Sequence, residues 1–467
     1  MKRGDELTVT LEGFAFEGKS IARVEGLVVF VTGAVPGDTL RVRLTKVKKS
    51  FCVAEAGEVL TPSPLRTVPR CRLFGVCGGC RWQNVAYEAQ CSFKRQHVID
   101  ALERIGGVRG VEVAQTIGCD DPYFYRNKME FSFGERWLTR DEMAAEAEGK
   151  PNDRFALGLH ISGRFDRVLD VDACWLQSEL SNRILTLVRA FARQRGLSVY
   201  STRTHAGYLR NLVIRQSRHT GEVMVNLVTR DDRPDIVQEL CGELLRDCPE
   251  ITTVVNNITE RLSQVALGDR EIVVHGPGTI TERIGKRSYR ISANSFFQTN
   301  TLQAERLYEA ARRMAHLRPD HLVYDLYSGT GTIALHIADD VRQVVGVESV
   351  APAVEDARRN AEGNGVANCA FILGDLKDVL TKQHQLLAPY GAPDVMMIDP
   401  PRAGMHEDVV RRVLEIAPPR IVYVSCNPAT QGRDIALLSP AYTIGEVQPV
   451  DMFPHTFHIE NVVALSR

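Results

Sequence analysis

The chain reads as a multidomain protein with a small all-β barrel at its N-terminus, an α+β middle domain and a C-terminal α/β domain built on an open sheet. Three observations predict this. Its 467 residues are too many for one ordinary core. Residues 1–62 run in short alternations of apolar and polar side chains, punctuated by glycines at 13, 18, 26, 33 and 37. From about residue 291 onward, apolar strand-like runs alternate with segments of helical period, as parallel strands joined by crossover helices require.

In the first segment, Leu7, Val9 and Leu11 alternate with polar residues, and Leu27 to Val31 forms a second run. Leu40, Val42 and Leu44 alternate with Arg41 and Arg43, so the arginines share a face, continued by Lys46, Lys48 and Lys49. Such an edge suits RNA phosphates, and an ordinary solvated strand face reads the same way. Pro62, Pro64 and Pro69 mark a linker. In the middle domain, 63–290, three cysteines precede a helix over Tyr87 to Ile105. Strands follow at Phe155–Leu159, Leu212–Arg215, Val223–Val228 and Ile272–Val274, and residues 135–154 read as a polar surface excursion. In 291–467, helices are expected at Leu302–Leu317, Gly331–Ala338, Pro352–Ala361 and Glu407–Ile416. Strands are expected at Leu322–Asp325, Val344–Val347, Cys369–Leu373, Val395–Ile398 and Ile421–Val424. Open sheets bind ligands beyond the carboxyl ends of their strands, and the polar motifs fall there.

Charge is balanced, 57 Lys+Arg against 58 Asp+Glu, which argues against a wholly basic nucleic-acid coat but allows a local basic face. No apolar run is long enough to span a bilayer and no signal region follows the charged N-terminus, so a cytoplasmic, monomeric protein without a membrane partner is expected. In that compartment eleven cysteines point to metal or to a nucleophile rather than to disulfides.

Asp325-Leu326-Tyr327-Ser328-Gly329-Thr330-Gly331 turns from a strand into a helix, and its glycines let backbone pass close to a ligand. Glu348, at the end of the next strand, is placed to accept ribose hydroxyls; Asp375, one strand further, to meet an adenine edge; Asp399 opens the loop after that. Acids that merely cap loops give the same pattern singly. Three in consecutive turns beside a glycine loop favour a nucleoside cofactor, with NAD and S-adenosylmethionine both open. Cys426, in Ser425-Cys426-Asn427-Pro428, follows a buried strand, where loop N–H groups would favour thiolate. A buried structural cysteine is the alternative, and the loop-like Asn-Pro weighs against it. Glu460, opening the last strand, is either a base facing the same cleft or a cap. Cys71, Cys77 and Cys80, with Gly75, Gly78 and Gly79 between them, suit iron–sulfur or zinc. A fourth ligand must come from afar, Cys174 first, then Cys91 or Cys119.

On these residues the chain resembles, over nearly its whole length, the RNA (uracil-5-)-methyltransferase family, in particular its iron–sulfur 23S ribosomal RNA branch. The resemblance implies a TRAM-like RNA-binding barrel and a Rossmann-like methyltransferase domain. It implies a [4Fe-4S] cluster on Cys71, Cys77, Cys80 and Cys174, with S-adenosyl-L-methionine held by Tyr327, Gly329, Glu348 and Asp399. It places Gln298 of Ser295-Phe296-Phe297-Gln298 against cofactor or substrate, and Tyr125-Arg126-Asn127-Lys128 near a domain interface. Cys426 matches the nucleophile and Glu460 the general base; Ser328 stands where cysteine is frequent. The expected substrate is a uridine of ribosomal RNA, or alternatively of transfer RNA, and Arg41, Arg43 and Lys46 are the expected phosphate contacts. A rival of another class is a non-catalytic RNA-binding or ribosome-assembly protein. A dinucleotide oxidoreductase would leave Cys426 and Asp399-Pro400-Pro401 without a joint purpose.

Overall fold

The computed structural model describes residues 1–15, 17–139, 142–143, 153–164, 166–263 and 265–467. Most of the expected surface excursion at 135–154 lies outside these residues. The chain forms two compact units: Met1–Arg70, Cys80–Pro122 and Gln303–Arg467 in one, Cys71–Gly79 and Tyr123–Leu302 in the other.

The first unit opens with β1 (Glu6–Thr10), β2 (Gly13–Phe14), β3 (Ser20–Val24), β4 (Leu27–Thr32), β5 (Thr39–Val47) and β6 (Phe51–Thr61). They form one sheet in the order β1-β5-β6-β4-β3-β2. Its two-residue period puts Leu40, Val42 and Leu44 of β5 into a core with Val9, Val29, Val31 and Ala54, and leaves Arg41 and Arg43 outside. The segment then reaches α1 (Tyr87–Arg104), which packs on the C-terminal domain. The contact is close because Gly432 has no side chain; a Cβ there would sit 2.7 Å from Ala101 O. Val113 and Ile117 add bridges along Val447 and Val450, so residues 80–122 belong with the C-terminal sheet in packing.

The second unit holds β7 (Lys128–Glu135), β8 (Phe155–His160), β9 (Val168–Asp170), α2 (Glu179–Gln194), β10 (Leu209–Gln216), β11 (Val223–Thr229), α3 (Pro234–Asp247), β12 (Thr253–Ile258) and β13 (Arg270–His275), then a hairpin of β14 (Thr279–Ile284) and β15 (Arg287–Ser292). Its sheet runs β13-β12-β11-β10-β7-β8-β9. Helices α2 and α3 were not read from the sequence, though the signals exist. Ser178 caps α2, accepting from Ser181 N–H, and Ile184, Leu185, Val188, Phe191 and Ala192 recur at helical spacing.

Back in the first unit come α4 (Thr301–Ala315), whose first two residues belong to the second unit, then β16 (Leu322–Leu326), α5 (Thr332–Ile337), β17 (Gln343–Glu348), α6 (Ala351–Gly363), β18 (Cys369–Leu373), α7 (Leu376–Thr381), β19 (Val395–Ile398), α8 (Glu407–Ile416), β20 (Arg420–Ser425), α9 (Pro428–Leu438), β21 (Thr443–Val450) and β22 (Glu460–Ser466). The sheet order is β18-β17-β16-β19-β20-β22-β21. All neighbours from β18 to β20 are parallel, and β22 is antiparallel to both β20 and β21. The order reverses direction between β16 and β19, which opens a crevice beyond their carboxyl ends.

Candidate active site

The loop after β16 enters that crevice. Tyr327, Gly329 and Gly331 all take positive φ, 66°, 53° and 77°. At Gly331 a Cβ would lie 2.8 Å from the Phe371 ring, so close packing requires glycine. At Gly329 it would meet nothing within 4 Å; that side of the loop faces open space. Asp325, at the end of β16, was passed over in the sequence. It is fully buried; Oδ2 accepts from Ala334 N–H at 3.1 Å while Oδ1 has no partner among the described residues. Burial first, then the charges of Asp399 and Glu348, push its carboxyl up to about 8. Ser328 Oγ is likewise buried without a partner. Open space, a cradle of positive-φ backbone and two orphaned polar oxygens fit a polar nucleoside ligand.

Glu348 and Asp375 also serve the protein itself. Glu348 Oε2 accepts from Gly329 N–H at 3.0 Å and Oε1 from Val350 N–H at 2.8 Å, so it ties two loops together while keeping lone pairs for a diol. Asp375 is exposed and caps α7, Oδ1 accepting from Lys377 N–H at 2.9 Å. Asp399 is half-buried after β19, and burial pushes it up to about 7.

Register brings the Cys426 thiol and the Glu460 carboxyl together. Ser425 pairs with Asn461 as the last rung between β20 and β22. Cys426 and Glu460 are therefore the next residue outward on each strand, at one end of the sheet. A buried amide clamp locks that rung from α9: Gln431 Nε2 donates to Tyr423 O (3.0 Å) and Asn461 O (3.1 Å), and Asn461 Nδ2 donates to Gln431 Oε1 (2.7 Å). Glu460 is 6% exposed, and burial and Asp399 raise its carboxyl well above the usual range, with Arg402 opposing. The loop that delivers it starts at Asp451, which is fixed by the buried Lys94 ammonium at 2.6 Å and by Tyr87 Oη at 3.0 Å, both from α1.

The expectation that this loop favours thiolate does not hold in the ligand-free protein. Burial first, then the charges of Glu460 and Asp399, push the Cys426 thiol up to about 12; Arg402 and the backbone pull the other way. Arg402, which follows Asp399-Pro400-Pro401 in the sequence, thus brings a positive charge to this cluster. Sequence reasoning also missed Gln431 and Asn461, because the pairing of β22 beside β20 has no local signature.

In the second unit, Asn127 holds the segment before α4: its Nδ2 donates to Gln298 O and to Thr301 Oγ1, both at 2.8 Å. Buried Arg215 donates to Ser295 O at 2.5 Å, and Phe296 stands 71% exposed. Cys71, Cys77 and Cys174 belong to this unit and Cys80 to the other. Burial, then the neighbouring Cys77 and Cys71, push the Cys174 thiol up to about 11. Cys77 pairs with Ile161, where a Cβ on Gly78 would meet His160 O at 2.9 Å. Among the described residues, no three His, Cys, Asp or Glu side chains are gathered as a metal-binding group. On the barrel, Arg41 ion-pairs with Glu58 at 3.2 Å and Arg43 lies across from Glu6 and Glu55, so the basic face is diluted by acids; Lys46, Lys48 and Lys49 lie exposed at its end. Among the described residues no helix is long and apolar enough to cross a membrane.

Residues 264–467 match the family described as tRNA (Uracil-5-)-methyltransferase, and residues 1–56 match the TRAM domain. An uncharacterized RNA methyltransferase of Chlorobaculum tepidum is 44% identical over 473 aligned residues, covering 100% of this chain and 97% of the relative. One of Bacteroides thetaiotaomicron is 45% identical over 456, covering 97% and 99%. Among solved structures, the Pyrococcus abyssi tRNA (uracil-54, C5)-methyltransferase in complex with S-adenosyl-L-homocysteine superposes with a TM-score of 0.75 at 29% identity, covering 98% of this chain and all of that one.

Proposed function

Because this chain belongs to the RNA methyltransferase family and itself joins a TRAM domain to a (uracil-5-)-methyltransferase domain, we propose that it methylates carbon 5 of a uridine through a covalent bond from Cys426 to carbon 6. The observation that carries this reading is the register that sets Cys426 and Glu460 side by side beyond the Ser425–Asn461 rung, on the sheet that also carries the glycine loop of β16.

S-adenosyl-L-methionine supplies an electrophilic methyl group when bound, and the fold is that of enzymes that use it. Tyr327, Gly329, Glu348, Asp375 and Asp399 are the residues proposed to hold it, and Gln298 is proposed to contact cofactor or substrate. Carbon 5 of uracil is a poor nucleophile. The Cys426 sulfur adds to carbon 6, and the electron pair so displaced makes carbon 5 a nucleophile, which takes the methyl group. Glu460, as carboxylate, removes the carbon 5 proton; the ring electrons then expel the Cys426 sulfur. The target base must leave its stack to expose a ring face, which costs least in a loop.

The proposed substrate is 23S ribosomal RNA, on the strength of the barrel and the four cysteines. A transfer RNA is the second reading, favoured by the substrate of the Pyrococcus abyssi enzyme. The three sequence segments take distinct roles: 1–62 binds RNA, 63–290 carries the cysteines, and 291–467 performs the transfer. Cys71, Cys77, Cys80 and Cys174 are the proposed ligands of a [4Fe-4S] cluster, supported by the mutual influence of Cys71, Cys77 and Cys174. Methyl transfer from a sulfonium is polar, and no step is routed through the cluster. Protein purified without oxygen should contain about four iron and four sulfide per chain; zinc with full activity would refute the assignment.

Carbon 5 of 5-fluorouridine bears no removable proton, so RNA containing it should trap a methylated complex that survives denaturation. Cys426→Ala should abolish the trapped band. With ordinary RNA, Glu460→Gln should accumulate the methylated covalent complex. An undiminished band from Cys426→Ala removes the thiol from the mechanism. Mapping the labelled position on ribosomal and transfer RNA decides between the two substrates.

A further inference from the structure

We propose that Arg402 is the residue that makes Cys426 a nucleophile, with His458 and Asn427 as the residues that position it. The inference rests on the reading of Cys426 given above and adds the group that charges it.

The site has a chemical problem. Two carboxyl groups, Asp399 and Glu460, stand close enough to the Cys426 thiol to oppose its ionisation, and burial opposes it further. A thiolate in such a place needs a fixed cation. Arg402 is a positive side chain that acts on both Cys426 and Glu460, favouring the ionised form of each. Lysine would be a poor substitute in principle, because guanidinium keeps its proton under all working conditions and holds a planar, two-sided grip on its neighbours.

That grip is built into the fold. The Arg402 carbonyl accepts from Asn427 Nδ2 at 3.0 Å and from Thr430 Oγ1 at 3.2 Å, both in the first turn region of α9 that follows Cys426. At its other end, Arg402 Nη2 donates to His458 Nδ1 at 2.9 Å. An arginine only donates, so His458 must be the neutral acceptor here. His458 lies two residues before Glu460 and packs on the Phe457 ring, 4.3 Å between centroids. Arg402 is thus tied by its backbone to the element that carries the nucleophile and by its guanidinium to the loop that carries the base. The next residues of its loop are rigid. Arg433 donates to Ala403 O at 3.0 Å and Met405 O at 3.1 Å, Asp434 accepts from Met405 N–H at 2.8 Å, and at Gly404, φ 78°, a Cβ would lie 2.5 Å from Arg433. A merely solvated arginine needs none of this bracing.

In the proposed step the Cys426 S–H bond breaks, the proton passes to water, and the electron pair stays on sulfur opposite the guanidinium. The charge that forms is partly offset in place by Arg402.

The test reads the thiol directly, without RNA or methyl donor. Full-length protein is treated with iodoacetamide between pH 7 and 10.5, and carboxamidomethylation of the Cys426 peptide is followed by mass spectrometry. The sulfur displaces iodide, so the rate reports thiolate. Asp399 and Glu460 raise the midpoint, Arg402 lowers it, and His458 acts by holding Arg402. Arg402→Gln should slow labelling at each pH in this range about three- to tenfold, since below the midpoint the rate falls about tenfold for each unit by which the thiol is raised. Arg402→Lys should recover part of the loss, and His458→Ala should fall between wild type and Arg402→Gln. Because the Arg402 side chain is exposed, the melting temperature should not change. Should Arg402→Gln nevertheless lower it, Arg402→Ala with added guanidinium ion at constant ionic strength replaces it: restored labelling supports the proposal, and no response overturns it. Equal labelling profiles for wild type and Arg402→Gln also overturn it. Failure of the Cys426 reading shows differently, as an absent Cys426 adduct in the 5-fluorouridine experiment.

Discussion

Asp325 concentrates the electrostatic cost of this site in one side chain. It is buried at the end of β16, gives one oxygen to Ala334 N–H, and leaves the other without a partner among the described residues. An aspartate in the unfolded chain titrates near 3.8, and in the fold it is pushed up to about 8. Between those values the folded protein holds a proton that the unfolded chain has lost. This group's stabilisation is therefore complete below about pH 4 and falls as pH rises through about 8. Asp325→Asn keeps the Ala334 hydrogen bond and cannot ionise. In denaturant unfolding of the ligand-free protein, its advantage over wild type should widen from pH 5 to pH 8.5 by at least about 1 kcal/mol, less than the worth of one full pKa unit. Parallel curves would show that Asp325 ionises normally. Neither orphaned oxygen, Asp325 Oδ1 or Ser328 Oγ, is visible from residue type; only the surrounding atoms make them unpaired.

At the scale of elements, the site depends on where β22 lies. The strand Ile421–Val424 and the Glu460 run were both legible as apolar segments with polar ends. Their antiparallel pairing was not, because hydrogen bonding between strands is set by partners distant in the chain. The clamp between α9 and this pair shows how tightly the register is held. Replacing Gln431 with leucine would leave Tyr423 O, Asn461 O and Asn461 Nδ2 without their buried partner. We expect a loss of about 1–3 kcal/mol of stability for such unsatisfied groups, together with a lower kcat at unchanged affinity for methyl donor. Unaltered unfolding in Gln431→Leu would mean that the β20–β22 rung holds without it.

For the whole molecule, the barrel is more than a tethered module in packing. Phe14 stacks on Trp82 at 4.5 Å, and a Cβ on Gly18 would lie 3.0 Å from Phe457, the neighbour of His458 in the loop that leads to Glu460. The barrel's charge is less simple than its sequence. Arg41 is offset by Glu58 and Arg43 by Glu6 and Glu55 across the strands. Lys46 extends past the bulge between Leu44 and Lys46, beside exposed Lys48 and Lys49. Phosphate binding should therefore lean on Lys46. Neutralising Arg41, Arg43 and Lys46 together should weaken RNA binding and flatten its salt dependence, since each lost phosphate contact removes about one unit of slope. Lys46→Gln alone should account for more of that change than Arg41→Gln. An unchanged salt series for the triple variant would show that this face does not meet RNA.

The local parts follow from residue pattern alone: strands and crossover helices from their periods, the glycine turn from residues that accept positive φ, and the motif cysteine at a strand end. These are short-range consequences of backbone sterics and side-chain alternation. Only the tertiary structure decided which parts meet. The chain leaves its first unit at Cys71 and returns at Cys80, and residues 80–122 pack with the C-terminal sheet. Cys426 and Glu460 become neighbours through one strand register, and the balance of Asp399, Glu460 and Arg402 around the thiol follows from it. Charge acts through space and burial depends on every element at once, so no reading along the chain supplies either.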